Sequence, residues 1–407
     1  MAEETQTALV LSAGAPNSPL MAGALCAMYK EGVAFDVIYT TGGSALIGLL
    51  LVAPKGKAPD EALRGIVEGM GVHDAIYTMV PLGYKTFYKP GPFTRPFHRW
   101  AQLFKIGEFP LGPIPGASNK RRDALGGLYN FWADALLKAR GGSYARLYND
   151  WIDFCVALMT PTTLNYFSQG MCAPFPFLDD MVDFHKLKLY PGKFFMNAYN
   201  MTDHKMKEFG KLEITPAHFR AALSYPSMYP PAEIDGKLYS EGADKDPINF
   251  GNMVDPKRED GKDEDFKDVK SIVLIDILGS LEPFLVREPT NLLDAYGISI
   301  MTPVVALAQK NLEHFEEHEN KQRDKDGNVL KDEIGRDKPI FDLLKMQFTI
   351  PEQLQPHVME WSYSNLSRLW DIGYVTGMDF VRSHKDKLKP PQIAGVKPPS
   401  GAPKRGE

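Results

Sequence analysis

Two short apolar strands, each running through a tight turn into an apolar helix within the first 53 residues, constrain this chain more than any other feature in it. Ala8–Ser12 reads as a buried strand, Ala13–Pro19 as a Gly/Pro-rich turn, and Leu20–Glu31 carries helical spacing up to Gly32. Phe35–Tyr39 is a second strand, Thr40–Ser44 a second tight turn and Ala45–Ala53 a second apolar helix. Strand–turn–helix repeated in this way starts a sheet with helices on its faces. Phe194–Tyr199 is a further strand, and Ser271–Ile277 is apolar on both sides, which predicts a buried parallel position. The predicted fold is α/β, a mostly parallel central sheet with helices on both faces.

Residues 75–190 hold 22 of the 45 aromatic residues, so this stretch is predicted to be an aromatic-rich helical insertion lying as a lid over the strand ends. Ala124–Ala139 and Arg146–Thr160 read as its helices. Its rings either form an ordinary helical core or wall an apolar cavity. Thr215–Tyr225 reads as a helix with Thr215 as N-cap and Pro216 in the first position. Asp255–Lys270 and Glu313–Lys338 are highly charged and read as exposed segments. The expected organisation is one α/β domain over residues 1–310, a charged segment with C-terminal helices packing on it over 311–388, and a disordered tail over 389–407.

Lys and Arg number 46 against 51 Asp and Glu, a net charge of −5, which argues against a nucleic-acid partner. Cys26, Cys155 and Cys172 have no metal-ligand spacing and read as reduced thiols of a cytoplasmic protein. The longest apolar run, Ala45–Pro54, is well short of the roughly 20 residues of a spanning helix. The expectation is therefore a cytoplasmic protein with at most a peripheral membrane contact. No P-loop or G-x-G-x-x-G occurs, so no organic cofactor is predicted, and no metal.

Three constellations carry chemistry. The second turn reads Thr40-Thr41-Gly42-Gly43-Ser44-Ala45-Leu46. A serine on a sharp strand-to-helix turn stands exposed above a sheet, where a helix N-terminus stabilises charge on an attacked ester. The first turn, Ala13-Gly14-Ala15-Pro16-Asn17-Ser18, offers backbone N–H groups to an oxyanion, although Pro16 and Pro19 each remove one. The third, Glu241-Gly242-Ala243-Asp244-Lys245-Asp246-Pro247, places three acids where one can act as a general base.

These segments resemble the patatin-type acyl-hydrolases, whose blocks are a G-G-G-x-[RK]-G oxyanion loop, a G-T-S-x-G nucleophile turn and a D-G-[GA] turn. Leu9–Leu25 is similar to the first block, Phe35–Ile38 with Ala45-Leu46 to the second, and Phe219–Ala243 to the third, through Arg220-Ala221, Pro226, Pro230-Pro231, Asp235-Gly236 and Tyr239. The resemblance implies a lipid or other acyl ester as substrate and a largely apolar pocket near Gly14, Ala15, Gly42, Gly43 and Glu241. The chemical positions depart from the pattern. Without gaps, the family's serine falls on Gly42, its aspartate on Glu241, and the basic residue of its oxyanion loop on Asn17.

Three readings of these departures stand open. A two-residue shift brings Ser44 to the nucleophile position, with Glu241 as base. Alternatively the scaffold does different chemistry, Glu241 activating water or moving a proton with help from Asp244 and Asp246. In the third, the protein binds a lipid or acyl chain without turnover. Weaker signals are His204, just past a strand, and Gln322–Glu333, which imitates a calcium loop but begins on Gln322. His314 and His318 share a helix face, and Asp36 and Asp276 read as capping or edge residues.

Overall fold

A computed structural model describes residues 6–14, 17–86, 143–172, 181–251, 269–320 and 340–388, apart from residues 161, 281, 286, 290–291 and 358–359, together with Phe97, Trp100, Ala101, Lys105, Asn328 and Lys331. The expected helix Ala124–Ala139, the charged segment Asp255–Lys270 (but for its last two residues), most of Gln322–Glu333 and the tail from Lys389 lie outside the described residues.

Among the described residues one sheet contains eight strands: β1 (Gln6–Leu11), β2 (Val37–Thr40), β3 (Lys193–Asn200), β4 (Lys205–Gly210), β5 (Ala232–Ile234), β6 (Lys237–Glu241), β7 (Val269–Ile275) and β8 (Asp342–Met346). Their order is β5-β6-β3-β2-β1-β7-β8, with β4 also paired to β3. The stretch from β3 to β8 is parallel throughout, and only the pairings β3–β4, β3–β6 and β5–β6 are antiparallel. Consecutive residues Ala8, Leu9, Val10 and Leu11 of β1 are fully buried. Successive strand side chains point to opposite faces, so both faces of the sheet are covered. The chain is therefore α/β, as the repeated strand–turn–helix pattern predicts.

The main helices are α1 (Ser18–Lys30), α2 (Ser44–Val52), α3 (Pro59–Met70), α4 (Ser143–Met159), α5 (Pro216–Ala222), α6 (Leu292–His314) and α7 (Tyr363–Ser383). Helix α1 ends where Gly32 predicts. Gly32 is left-handed at φ 76°, its N–H donates to Tyr29 O, and the Val33 N–H donates to Met28 O. This pair of bonds is a Schellman cap. At α5 the backbone of Thr215 is the N-cap, but its hydroxyl pairs with His218 Nδ1 at 2.7 Å and makes no cap bond. Asp235 and Gly236 both have positive φ and close the β5–β6 hairpin as a type I′ turn. No described helix is long and apolar enough to cross a membrane.

Strands β4 and β8 escape sequence patterning for the same reason. Each lies at a margin of the sheet, and charged residues alternate with apolar ones: Lys205, Lys207 and Glu208 in β4, Asp342 and Lys345 in β8. Neither forms an apolar run.

Helices α1 and α7 approach closely because three glycines line the contact. A Cβ on Gly23 would strike the Trp370 carbonyl, one on Gly373 the Leu20 carbonyl, and one on Gly377 would lie 2.7 Å from Ala24 O. Backbone cannot yield as a flexible side chain does, so Gly373→Val is expected to cost about 1–3 kcal/mol in urea unfolding through overpacking. Gly69→Ala, at an exposed position of α3 with nothing within 4 Å of the new methyl, is expected to stabilise by roughly 0.5–1 kcal/mol.

Candidate functional site

The site arises from a collision of two strands. β2 pairs with Lys193–Met196 of β3 and β6 with Ala198–Asn200, while β4 spans Phe195–Asn200. A residue offers one partner to each side of a sheet, so β2 and β6 must share the edge opposite β4. They run towards each other along that edge. Thr40 faces Met196 and Glu241 faces Ala198, leaving Asn197 alone between them. Both chains are forced out of the sheet at this point. β2 turns through Thr41-Gly42-Gly43 into α2, and β6 into the 3₁₀ turn Gly242–Asp244.

Gly42 takes the left-handed position of the elbow, at φ 56°. A side-chain carbon at Gly42 would land on Oε1 of Glu241. The acid thus occupies the point from which an elbow side chain would emerge. The Glu241 carboxyl is nearly buried and has no hydrogen-bond donor among the described residues. Burial, followed by the nearby charge of Asp244, pushes its pKa up to about 8, from an ordinary 4.5. At neutral pH this carboxyl holds its proton.

Ser44 stands elsewhere. It opens α2, two residues past the elbow, and is buried. Its Oγ lies 2.8 Å from Thr41 O and 2.9 Å from Leu11 O and accepts the Thr41 N–H at 3.1 Å. The hydroxyl is committed to closing the turn and tying it to β1.

Three loops are knotted together on residues 246 and 247. Asp246 O accepts the Thr41 hydroxyl at 3.1 Å and the Asn197 amide at 3.3 Å, and Pro247 O accepts the Ala13 N–H at 2.7 Å. The Asp246 carboxylate accepts the Asn249 N–H at 2.9 Å and the Asn311 amide from α6 at 3.2 Å. Burial raises its pKa, against these hydrogen bonds. Asp246 is an anchor of the turns. Asp244 is half-buried, one of its carboxyl oxygens has no partner among the described residues, and burial also raises its pKa.

At the β1 turn, Gly14 has φ 130°, and a Cβ there would lie 2.9 Å from Ile277. Ala15 lies outside the described residues. Asn17 is fully buried at the start of α1, makes no cap bond, and among the described residues neither atom of its amide has a hydrogen-bond partner. Such orphans are rare in folded proteins and cost about 1–3 kcal/mol each. Gly43 is the N-cap of α2.

The structure therefore brings Gly42, Gly43, Glu241, Asp244 and Asp246 together and ties Ala13, next to Gly14, to the same loop. His204 sits apart, exposed in the β3–β4 turn at φ 54°. His314 and His318 are exposed side by side, Asp36 accepts the Thr7 N–H, and Asp276 caps the turn after β7. Among the described residues no three His, Cys, Asp or Glu side chains cluster as metal ligands.

Sequence reasoning missed two tyrosines. The Glu241 N–H donates to Ser224 O at 2.9 Å, which pulls in the loop holding Tyr225 and Tyr229. Burial and then the nearby acids raise the Tyr225 phenol to about 12, and burial, followed by Cys172 and Glu241, pushes Tyr229 well above its ordinary value. The signal was the repeated Tyr-Pro of Tyr225-Pro226 and Tyr229-Pro230.

No family model and no curated protein matches the chain. Among solved structures, VipD from Legionella pneumophila is similar at 15% identity and a TM-score of 0.37, over 94% of this chain and 67% of that one. At that score the likeness carries nothing about fold or chemistry.

Gly42→Ser is expected to destabilise by about 2–4 kcal/mol, from positive φ plus the clash with Glu241. Adding Glu241→Ala should recover roughly 1 kcal/mol or more, a coupling that a double-mutant cycle by urea unfolding reads directly. The proton on Glu241 gives a second expectation. The folded state keeps it up to about pH 8 and the unfolded chain only to about 4.5. Its stabilising contribution is complete below 4.5 and is lost as pH rises through 8. Wild type should therefore lose about 1.4 kcal/mol per pH unit relative to Glu241→Gln across that window.

Proposed function

We propose that this chain binds an apolar acyl or carbonyl compound over the strand ends and that Glu241 transfers a proton to it. The observation that carries this reading is the position of Glu241 Oε1 at the point where a Gly42 side chain would emerge. In strand–turn–helix sites of this kind the reacting group stands there. Here that group is a carboxyl protonated at neutral pH, and it acts first as an acid. As water adds to the carbonyl carbon and the C=O π bond breaks, the Glu241 proton passes to the oxygen, and the carboxylate then takes the proton that the added water gives up. The positive end of α2 begins at Gly43 and favours the same charge. Ser44 takes no part, because its hydroxyl is spent on backbone. The resemblance of Leu9–Leu25, Phe35–Leu46 and Phe219–Ala243 to acyl-hydrolases supports a lipid or acyl compound as the class of substrate. The orphaned amide of Asn17 supports a polar group on the ligand near the start of α1.

The test is organic extraction of purified protein, identification of the recovered apolar compounds by mass spectrometry, and incubation of these with enzyme. Glu241→Gln should lower turnover at least about 100-fold, and Ser44→Ala should leave it standing in the folded fraction. kcat/KM should be level below pH 8 and fall above it. Turnover that survives Glu241→Gln refutes the proposal. A ligand recovered and returned unchanged by wild type makes the protein a binder.

A further inference from the structure

From Phe154 to Leu178 the chain carries no Asp, Glu, Lys, Arg or His. At the chain's average of 24% charged, 25 residues would hold about six charges. The end of α4 and the turn after it bring several of its apolar side chains to the surface. Leu158 and Met159 are 68% and 65% exposed, Leu164 is 51% exposed, and Tyr166 and Phe167 reach 96% and 88%.

The exposure is built in. The Asn165 side chain accepts the Phe167 N–H at 2.9 Å, Ser168 Oγ accepts the Asn165 N–H at 3.0 Å, the Ser168 N–H returns to Asn165 O at 3.0 Å, and Thr162 Oγ1 accepts the Leu164 N–H at 3.1 Å. This turn holds the two rings outward, edge to face with centroids 5.6 Å apart. Leaving two large aromatic side chains in water forgoes burial that ordinarily stabilises a fold.

The turn is also fastened to the loop beside Glu241. The Met171 N–H donates to Ser227 O at 2.8 Å and the Cys172 N–H to Met228 O at 2.7 Å. Gly170 crosses the chain at Tyr229-Pro230 so closely that a Cβ would lie 2.6 Å from both backbones. Any surface that receives Tyr166 and Phe167 therefore lies over the Tyr225–Tyr229 loop.

We infer that Tyr166, Phe167 and Leu164 insert into a lipid surface and seat the protein on it with the Glu241 loop at that interface. The shape favours lipid over a protein partner. The two rings stand almost fully exposed on the turn, and a fluid surface accepts such a pair without a matching socket. Amphipathic and apolar aromatic side chains suit the boundary between headgroups and acyl chains. The lack of charge selects a zwitterionic surface and makes binding insensitive to salt. This inference is independent of the proton chemistry at Glu241.

The experiment is co-sedimentation of the full chain with phosphatidylcholine vesicles. Wild type should partition onto them equally at low and high salt. Tyr166→Ser combined with Phe167→Ser should weaken partitioning at least about tenfold with unchanged thermal unfolding, since both positions are exposed. Glu241→Gln should bind as wild type does, so a failure of the proposed chemistry is distinguishable from a failure here. No vesicle binding by wild type, or equal binding by the double variant, overturns the inference. So does concentration-dependent self-association that the double variant abolishes in the absence of vesicle binding, which would make the tip a protein interface.

Discussion

Everything at this site depends on two strands meeting head to head on one edge of β3. Had β2 continued past Thr40, or β6 past Glu241, one would have run into the other across Asn197. Each must leave the sheet there, one as an elbow into α2 and the other as a 3₁₀ turn. Backbone pairing alone fixes the distance between the two exits to within a residue of β3. The loop at residues 246–247 then locks the exits together through Thr41, Asn197 and Ala13. The contact of Glu241 with Gly42 follows from strand register more than from any side-chain preference.

That register makes Gly42 and Glu241 one steric unit. The glutamate side chain carries its carboxyl into the space that an elbow side chain would need, and only glycine leaves that space open. The filled position also changes the chemistry available. The group at the elbow is a buried carboxyl with its proton held to about pH 8, beside the carboxyls of Asp244 and Asp246.

Much of the framework was legible in the sequence, because buried parallel strands and apolar helices leave strong patterns. The strands β1, β2, β3 and β7, the Gly32 cap and the Asp235-Gly236 turn follow from apolar runs and turn residues. Strands β4 and β8 were illegible because solvent on one side lets charge interrupt the run. At the site, the segments Gly42–Ser44 and Glu241–Asp246 were legible as positions, but which serine or glycine sits at the elbow was not. That choice rests on the left-handed φ at Gly42 and on three hydrogen bonds to the Ser44 hydroxyl, both of which are tertiary facts. Tyr225 and Tyr229 were missed because aromatic residues beside prolines read equally well as turn packing.

The orphaned groups around the site sharpen its character. Among the described residues Asn17 has no partner for either amide atom and Asp244 has one bare oxygen, and both lie on turns that leave the same end of the sheet. An amide presents both a donor and an acceptor. Burial and then the charge of Asp244 raise the pKa of Glu241, and the carboxyl stays neutral at pH 7. The amide at the start of α1 and the protonated acid at the elbow are both neutral hydrogen-bonding groups buried on turns that leave the same end of the sheet.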